Sequence, residues 1–254
     1  MNAVVIRSRV SLRCYFLEAR CEFLRLLRAP SFAVPTLVFP PMFYLLFGVL
    51  LAGSHRGGRT ASYLLATYGV FGVMAPGLFG FGVALALDRE RGFLALKRAL
   101  PMPPGAMLLA KMAMAMLFAA IISAILIVIA VTLGHVALSP LQFAELFAVD
   151  VVGVLPFCAI GLFIGSVISG QGAPAVINLL YLPMAFLAGL WMPLNALPAF
   201  FTKMAPLWPA YHLAQIALHV VGMDSGGSIA MHVLVLAAVS LGFLMLARRR
   251  LARA

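Results

Sequence analysis

Apolar residues fall along this chain in long blocks rather than in alternation. Six blocks reach the length of about 20 residues that a helix needs to cross a hydrocarbon core. They are roughly Ser31–Ala52, Tyr63–Leu87, Ala106–Gly134, Leu141–Ile168, Ala173–Met192 and Ile229–Ala247. Blocks of this kind predict helices, because a helix satisfies its own backbone groups where water is absent. Pro35, Pro40 and Pro41 interrupt the first block. The second carries Gly69, Gly72, Gly77, Gly80 and Gly82, and the fourth the small-xxx-small pair Gly161 and Gly165, so both predict close helix packing. Polar Gly53–Ser62 predicts a short loop, and Ser169–Gly172 and Gly222–Ser228 predict turns.

Residues 2–29 follow a different pattern. Ile6, Val10, Leu17, Cys21 and Leu24 form one helical stripe, and Leu12, Phe16, Phe23 and Leu26 another. Six arginines with Glu18 and Glu22 separate them. A helix with two apolar stripes can rest on lipid with one and on protein with the other. An interfacial helix is expected within residues 1–30, with Pro30 at its end.

Leu187–Leu218 fits neither pattern. Pro193, Pro198, Pro206 and Pro209 prevent one continuous helix, yet Lys203 is its single charge. Irregular backbone at membrane depth must be buried in protein or face a water-filled cavity. Two readings follow: short helices that dip back into the membrane, or an interfacial loop with a belt of Trp191, Trp208 and Tyr211.

Composition settles the class. The chain is 64% hydrophobic and 10% charged, with a mean hydropathy of +1.10. This is an integral membrane protein, against about 25% charged residues in a soluble domain. The net charge of +11 would suggest nucleic acid in a soluble protein. Here it is explained by basic loops on one membrane side, and no nucleic-acid partner is expected. The N-terminal segment, the loop after the second block and the C-terminus hold 15 of the 18 Lys and Arg. The positive-inside rule places both termini in the cytoplasm and the proline-broken stretch outside. Three cysteines make no disulfide framework, and no cleavable signal peptide is apparent.

Candidate chemistry is sparse. The cytoplasmic loop at 88–104 alternates Phe93, Leu94, Leu96 and Leu100 with Lys97 and Arg98, with Gly92 as a hinge and Pro101 as a stop. It can be a docking hairpin or a solvated loop kept for its charge. Gly105 and Lys111 lack the rest of a phosphate loop, so Lys111 is expected to snorkel at a span's end. Glu145 is expected at an interface and Asp150 in a polar contact inside the bundle. His135, His212, His219 and His232 have no metal-ligand spacing, and no catalytic constellation stands out.

With these residues in view, the chain resembles the permease subunit of ATP-binding-cassette type-2 exporters. Glu90, Gly92 and Pro101, followed by Lys111, match the family's E-x-G…P cytoplasmic motif. Gly189, Pro193, Leu197 and Pro198 match its G-x-x-x-P-x-x-x-L-P run, and Pro209 with Tyr211 and His212 its later proline and aromatic-His pair. The resemblance implies an all-α polytopic permease domain over residues 1–254. It would have six spans, the interfacial helix, the coupling loop and an exterior re-entrant hairpin within 193–222. Glu90, Gly92, Phe93, Leu94, Lys97 and Pro101 would meet the ATPase. Gly189, Pro193, Leu197, Pro198, Pro209, Tyr211 and His212 would form an exterior gate.

The implied protein is a multi-pass component of the bacterial cytoplasmic (inner) membrane. It would work as a permease homodimer, or a close heterodimer, among membrane lipid, with separate ATPase subunits holding ATP and Mg. No cofactor, metal site or catalytic residue is expected in this chain. The nearly uncharged spans favour export of an amphipathic, drug-like, lipid or lipid-linked cargo. The competing reading is an ion-coupled secondary transporter of a hydrophobic solute, which would want acids or broken helices near the midplane in both halves.

Overall fold

The computed structural model describes residues 12–51, 53–94, 96 and 105–251. Among them every regular element is helical. Helix α1 (Leu12–Leu27) precedes α2 (Pro30–Phe43), which continues as a π-helix over Tyr44–Leu50. A second column runs through α3 (Gly53–Ala75), a π segment (Pro76–Val83) and α4 (Ala84–Glu90). Then come α5 (Ala106–Thr132), α6 (Pro140–Gly153), α7 (Leu155–Val167), α8 (Ala173–Leu187), the single-turn α9 (Ala199–Met204), α10 (Pro209–Val220) and α11 (Ile229–Leu251).

Among the described residues five helical stretches are long and apolar enough to cross a membrane: Pro30–Leu50, Gly58–Glu90, Ala106–Thr132, Pro140–Val167 and Ile229–Arg250. The fifth predicted block is a shorter apolar helix, Ala173–Leu187. It ends early because Gly189 takes a left-handed φ of +75°. There Leu190 N–H bonds back to the Ala185 carbonyl, capping the last turn.

Prolines shape the columns without stopping them. Pro30 starts α2 instead of closing α1, which ends at Leu27. The missing N–H costs nothing in a first turn, where the donor would be orphaned anyway. Pro40 and Pro41 stay inside α2, and hydrogen bonding widens to the π register immediately after them. Pro76 opens the second π segment in the same way. Pro156 lies in the first turn of α7, so the fourth block is two helices broken at Val154. Ser139 and Gln142 form a reciprocal capping box at the start of α6, with Pro140 at its first position. The loop expected at Gly53–Ser62 is the first part of α3. Its helix persists through poor helix formers because Ala61 and Ser62 are already buried, with the Ser62 hydroxyl returned to the Gly58 carbonyl at 2.7 Å.

The α3 column is the hub. It is 83% buried within its span, against 11% for Ile229–Arg250. The first is therefore protein-facing all round, and the second leaves most of its apolar surface for lipid. Glycines let the hub meet α7 backbone to backbone. A Cβ on Gly161 would lie 2.5 Å from the Gly77 carbonyl oxygen, and one on Gly82 would lie 2.8 Å from that of Gly161. Gly165 makes the same approach to the Gly82 carbonyl. The surface helix α1 packs on α5 with Phe23, which meets Phe118 at 5.2 Å between ring centres, while Leu17 and Cys21 on its other side are exposed. Such a ring pair contributes about 0.5–1.5 kcal/mol beyond its buried area.

Gly161→Leu is expected to destabilise the detergent-solubilised protein by at least the roughly 1–3 kcal/mol of an overpacked core. Gly242→Leu, where a Cβ meets nothing within 4 Å, should leave the melting temperature unchanged. Equal melting of both variants would mean that α7 and the hub do not touch.

Candidate functional site

Charge is rare in these helices, and most of what is buried gathers in one place. Lys111 of α5 is completely enclosed, as the snorkelling expectation did not foresee. Its ammonium lies 3.1 Å from Glu22 Oε2 on α1 and 2.9 Å from Asp88 Oδ2 on α4. The Arg25 guanidinium stands 2.9 Å from the other Asp88 oxygen and 3.4 Å from Glu22. Two carboxylates meet Lys111 inside the bundle, so it has no need to reach for water. Asp88 and Glu22 were not singled out from the sequence as partners. The available signal was weak: an acid one turn before Arg25, and an acid two residues before Glu90.

The same end of the hub carries the loop residues. The Arg89 guanidinium donates to the carbonyls of Ser166 and Ile168 at the end of α7. Glu90 accepts the N–H of Gly170 at 3.0 Å. Adjacent side chains of α4 thus hold the turn between α7 and α8. Beyond them Gly92 takes φ +75° in open space, Phe93 is 43% exposed and Leu94 is half-buried. Lys97, Leu100 and Pro101 lie outside the described residues.

Roughly 40 Å away along the hub, at 1.5 Å per residue, the proline-broken stretch meets the other end. Trp191, Pro193 and Tyr211 line a cavity of about 1090 Å³ together with Phe43, Tyr63 and Gln215. Tyr63 donates to the Gly189 carbonyl at 2.9 Å, so the turn after α8 is tied to α3. Leu197 is half-buried, and Pro198 is exposed at the start of α9. Pro209 is the first residue of α10, which buries Ala210, Leu213, Ala214 and Ala217 against its neighbours.

His212 and His219 have separate partners. His212 Nε2 is 2.9 Å from the Pro206 carbonyl and its Nδ1 is 2.8 Å from Nδ1 of His232 on α11. A carbonyl only accepts, so a neutral His212 would carry its proton on Nε2 and accept at Nδ1 from His232. His219 instead meets Asp224 at 3.3 Å. That hydrogen bond holds the Asp224 carboxyl below its usual range, so it is ionised at neutral pH. Asp150 takes the internal polar contact expected of it, accepting from the Ser123 hydroxyl at 2.7 Å beside Gly69. Glu145 is exposed. Among the described residues no group of three or more His, Cys, Asp or Glu could hold a metal ion.

Comparison with known proteins gives two findings. The family described as ABC-2 type transporter matches residues 15–221. The chain is also similar to the "Putative transport permease YvfS" of Bacillus subtilis (strain 168), with 27% identity over 233 residues, 91% of this chain and 94% of that protein.

Lys111→Met removes the one fully buried cation facing Glu22 and Asp88 among the described residues, leaving them the half-exposed Arg25, and should destabilise the fold by about 3–5 kcal/mol, the scale for breaking a buried ion pair. Adding Glu22→Gln and Asp88→Asn removes the uncompensated charge and should recover most of the loss in thermal melting. A triple variant no more stable than Lys111→Met would mean that the ammonium does not compensate these acids.

Proposed function

The chain belongs to the ABC-2 type transporter family, and on that premise we propose that it is the membrane subunit of an ATP-driven exporter of amphipathic molecules. Membership makes it a transmembrane transport component rather than an enzyme, in a family whose permeases work with a separate ATPase subunit. The finer reading is a permease homodimer in the bacterial cytoplasmic membrane with both termini inside. Of its six spans, the fifth is the short α8 together with the turn that follows.

One observation carries the reading. The surface helix α1, the loop-bearing end of α4 and the span α5 are joined by the buried ions of Glu22, Asp88 and Lys111. A force applied at this face cannot separate these elements without exposing an unpaired buried charge, which is costly. The ATPase would press on exposed Phe93 and its neighbours, with Gly92 as the hinge. Arg89 and Glu90 would carry the displacement into the turn ahead of α8. At the other end of α8, Gly189 is held by Tyr63, and this turn with Pro193, Leu197 and Pro198 would serve as the gate. Pro209, Tyr211 and His212 would set α10 as its fixed side, re-entering the bundle against α3. Among the described residues no second acid stands beside buried Asp150, which suits export driven by ATP better than a proton relay across the bilayer.

Glu90→Lys removes the acceptor for Gly170 and reverses the charge at the docking face. Export should fall at least about ten-fold, the scale of one lost charge-assisted contact, while the folded protein still reaches the membrane. Unchanged export would end the coupling role of Glu90. With the native cysteines replaced, Ala196→Cys should react with an impermeant thiol reagent from outside and Gln171→Cys only after permeabilisation. The reverse pattern would overturn the orientation.

A further inference from the structure

The cavity at the far end of the hub has an unusual charge arrangement. Its wall is aromatic, with Phe43, Phe47, Tyr68 and Trp191. Its lining also includes one cation, Arg59 of α3, and one anion, Asp224 of the turn before α11. Among the described residues no ion pair joins the two, and Asp224 turns to His219 instead. Opposite charges presented from separate elements of one cavity, and not paired with each other, suit a ligand that carries both signs. The wall also continues outward. Phe47 is 41% exposed, and Leu46 and Leu50 on the same π segment are exposed beside it. Aromatic lining thus runs into the outer apolar face of α2, the face an acyl chain would follow from the bilayer. A freely soluble ligand would gain nothing from that continuity.

We propose that this cavity binds a phospholipid with a zwitterionic headgroup, its phosphate at Arg59, its ammonium at Asp224 and its chains along Phe43 and Phe47. The guanidinium supplies charge-assisted donors to phosphate oxygens. The carboxylate receives the ammonium, and the nearby Tyr211 ring offers it a π face. The proposal goes beyond the transport reading, because it holds whether the lipid is cargo or a resident of the site.

The chain has two tryptophans, of which Trp191 lines the cavity and Trp208 does not. In full-length Trp208→Phe protein, Trp191 is therefore the only fluorescent tryptophan. The protein is placed in phosphatidylglycerol nanodiscs with increasing amounts of dibrominated-chain phosphatidylethanolamine or dibrominated-chain phosphatidylglycerol. Bromine quenches a tryptophan only at close range. Half-quenching is expected at a roughly three-fold lower mole fraction of the ethanolamine lipid, the scale of one exposed ion pair. Asp224→Asn should bring the two lipids level, whereas Arg59→Gln, which removes the phosphate contact common to both, should raise the mole fraction needed for half-quenching by either lipid. Lys203→Gln, outside the cavity, should preserve the difference. Equal quenching in the starting protein, stronger quenching by the glycerol lipid, a preference that survives Asp224→Asn, or half-quenching by both lipids unmoved in Arg59→Gln would overturn the proposal. Co-purification of an ATPase subunit from the same preparations separates the outcomes: a level response with the ATPase still bound removes the lipid site and leaves the transport reading standing.

Discussion

An ammonium with no access to water must have anions around it. Lys111 meets that requirement through Glu22 and Asp88, and much of the structure follows. Moving a single charge into low dielectric costs several kcal/mol, and only close, hydrogen-bonded partners offset it. The three elements that contribute partners are therefore fixed relative to one another more firmly than apolar contact alone would fix them. Apolar surfaces in a bilayer slide at little cost, since lipid tails are as apolar as leucine. The ionic cluster makes α1, otherwise a helix lying on the bundle, part of the bundle.

From this anchored end the hub column extends to the cavity without a change of chain direction. Its π segment before α4, like the one that continues α2, sits where prolines remove donors. Gly77, Gly82, Gly161 and Gly165 bring the hub and α7 into backbone contact, so these two columns move together or not at all. Arg89 and Glu90 then fasten the turn ahead of α8 to the same body. At the opposite end the contacts surround an open volume: Tyr63 to Gly189, the His212–His232 pair, and a wall of aromatic rings. A body that is tightly joined at one end and more open at the other suits a transport component that receives force at the first and admits ligand at the second.

What the residues determined alone was the class and the linear plan. Long apolar blocks, the glycine pairs and the scarcity of charge are local properties, and they led to an all-helical membrane protein with close packing between the second and fourth blocks. The amphipathic character of the N-terminal segment was equally legible, as was the internal polar contact of Asp150. Tertiary structure decided the rest, because pairing depends on residues far apart in the chain. Lys111 and Glu22 are 89 positions apart, and Glu90 and Gly170 are 80. A lysine at the end of an apolar block carries the same local signal whether it snorkels or is enclosed by acids, and only the approach of α1 and α4 chose the second. Proline is similarly ambiguous: Pro30 and Pro209 begin helices, Pro40 and Pro41 stay within one, and the difference lies in which neighbouring backbone groups can absorb the missing donor.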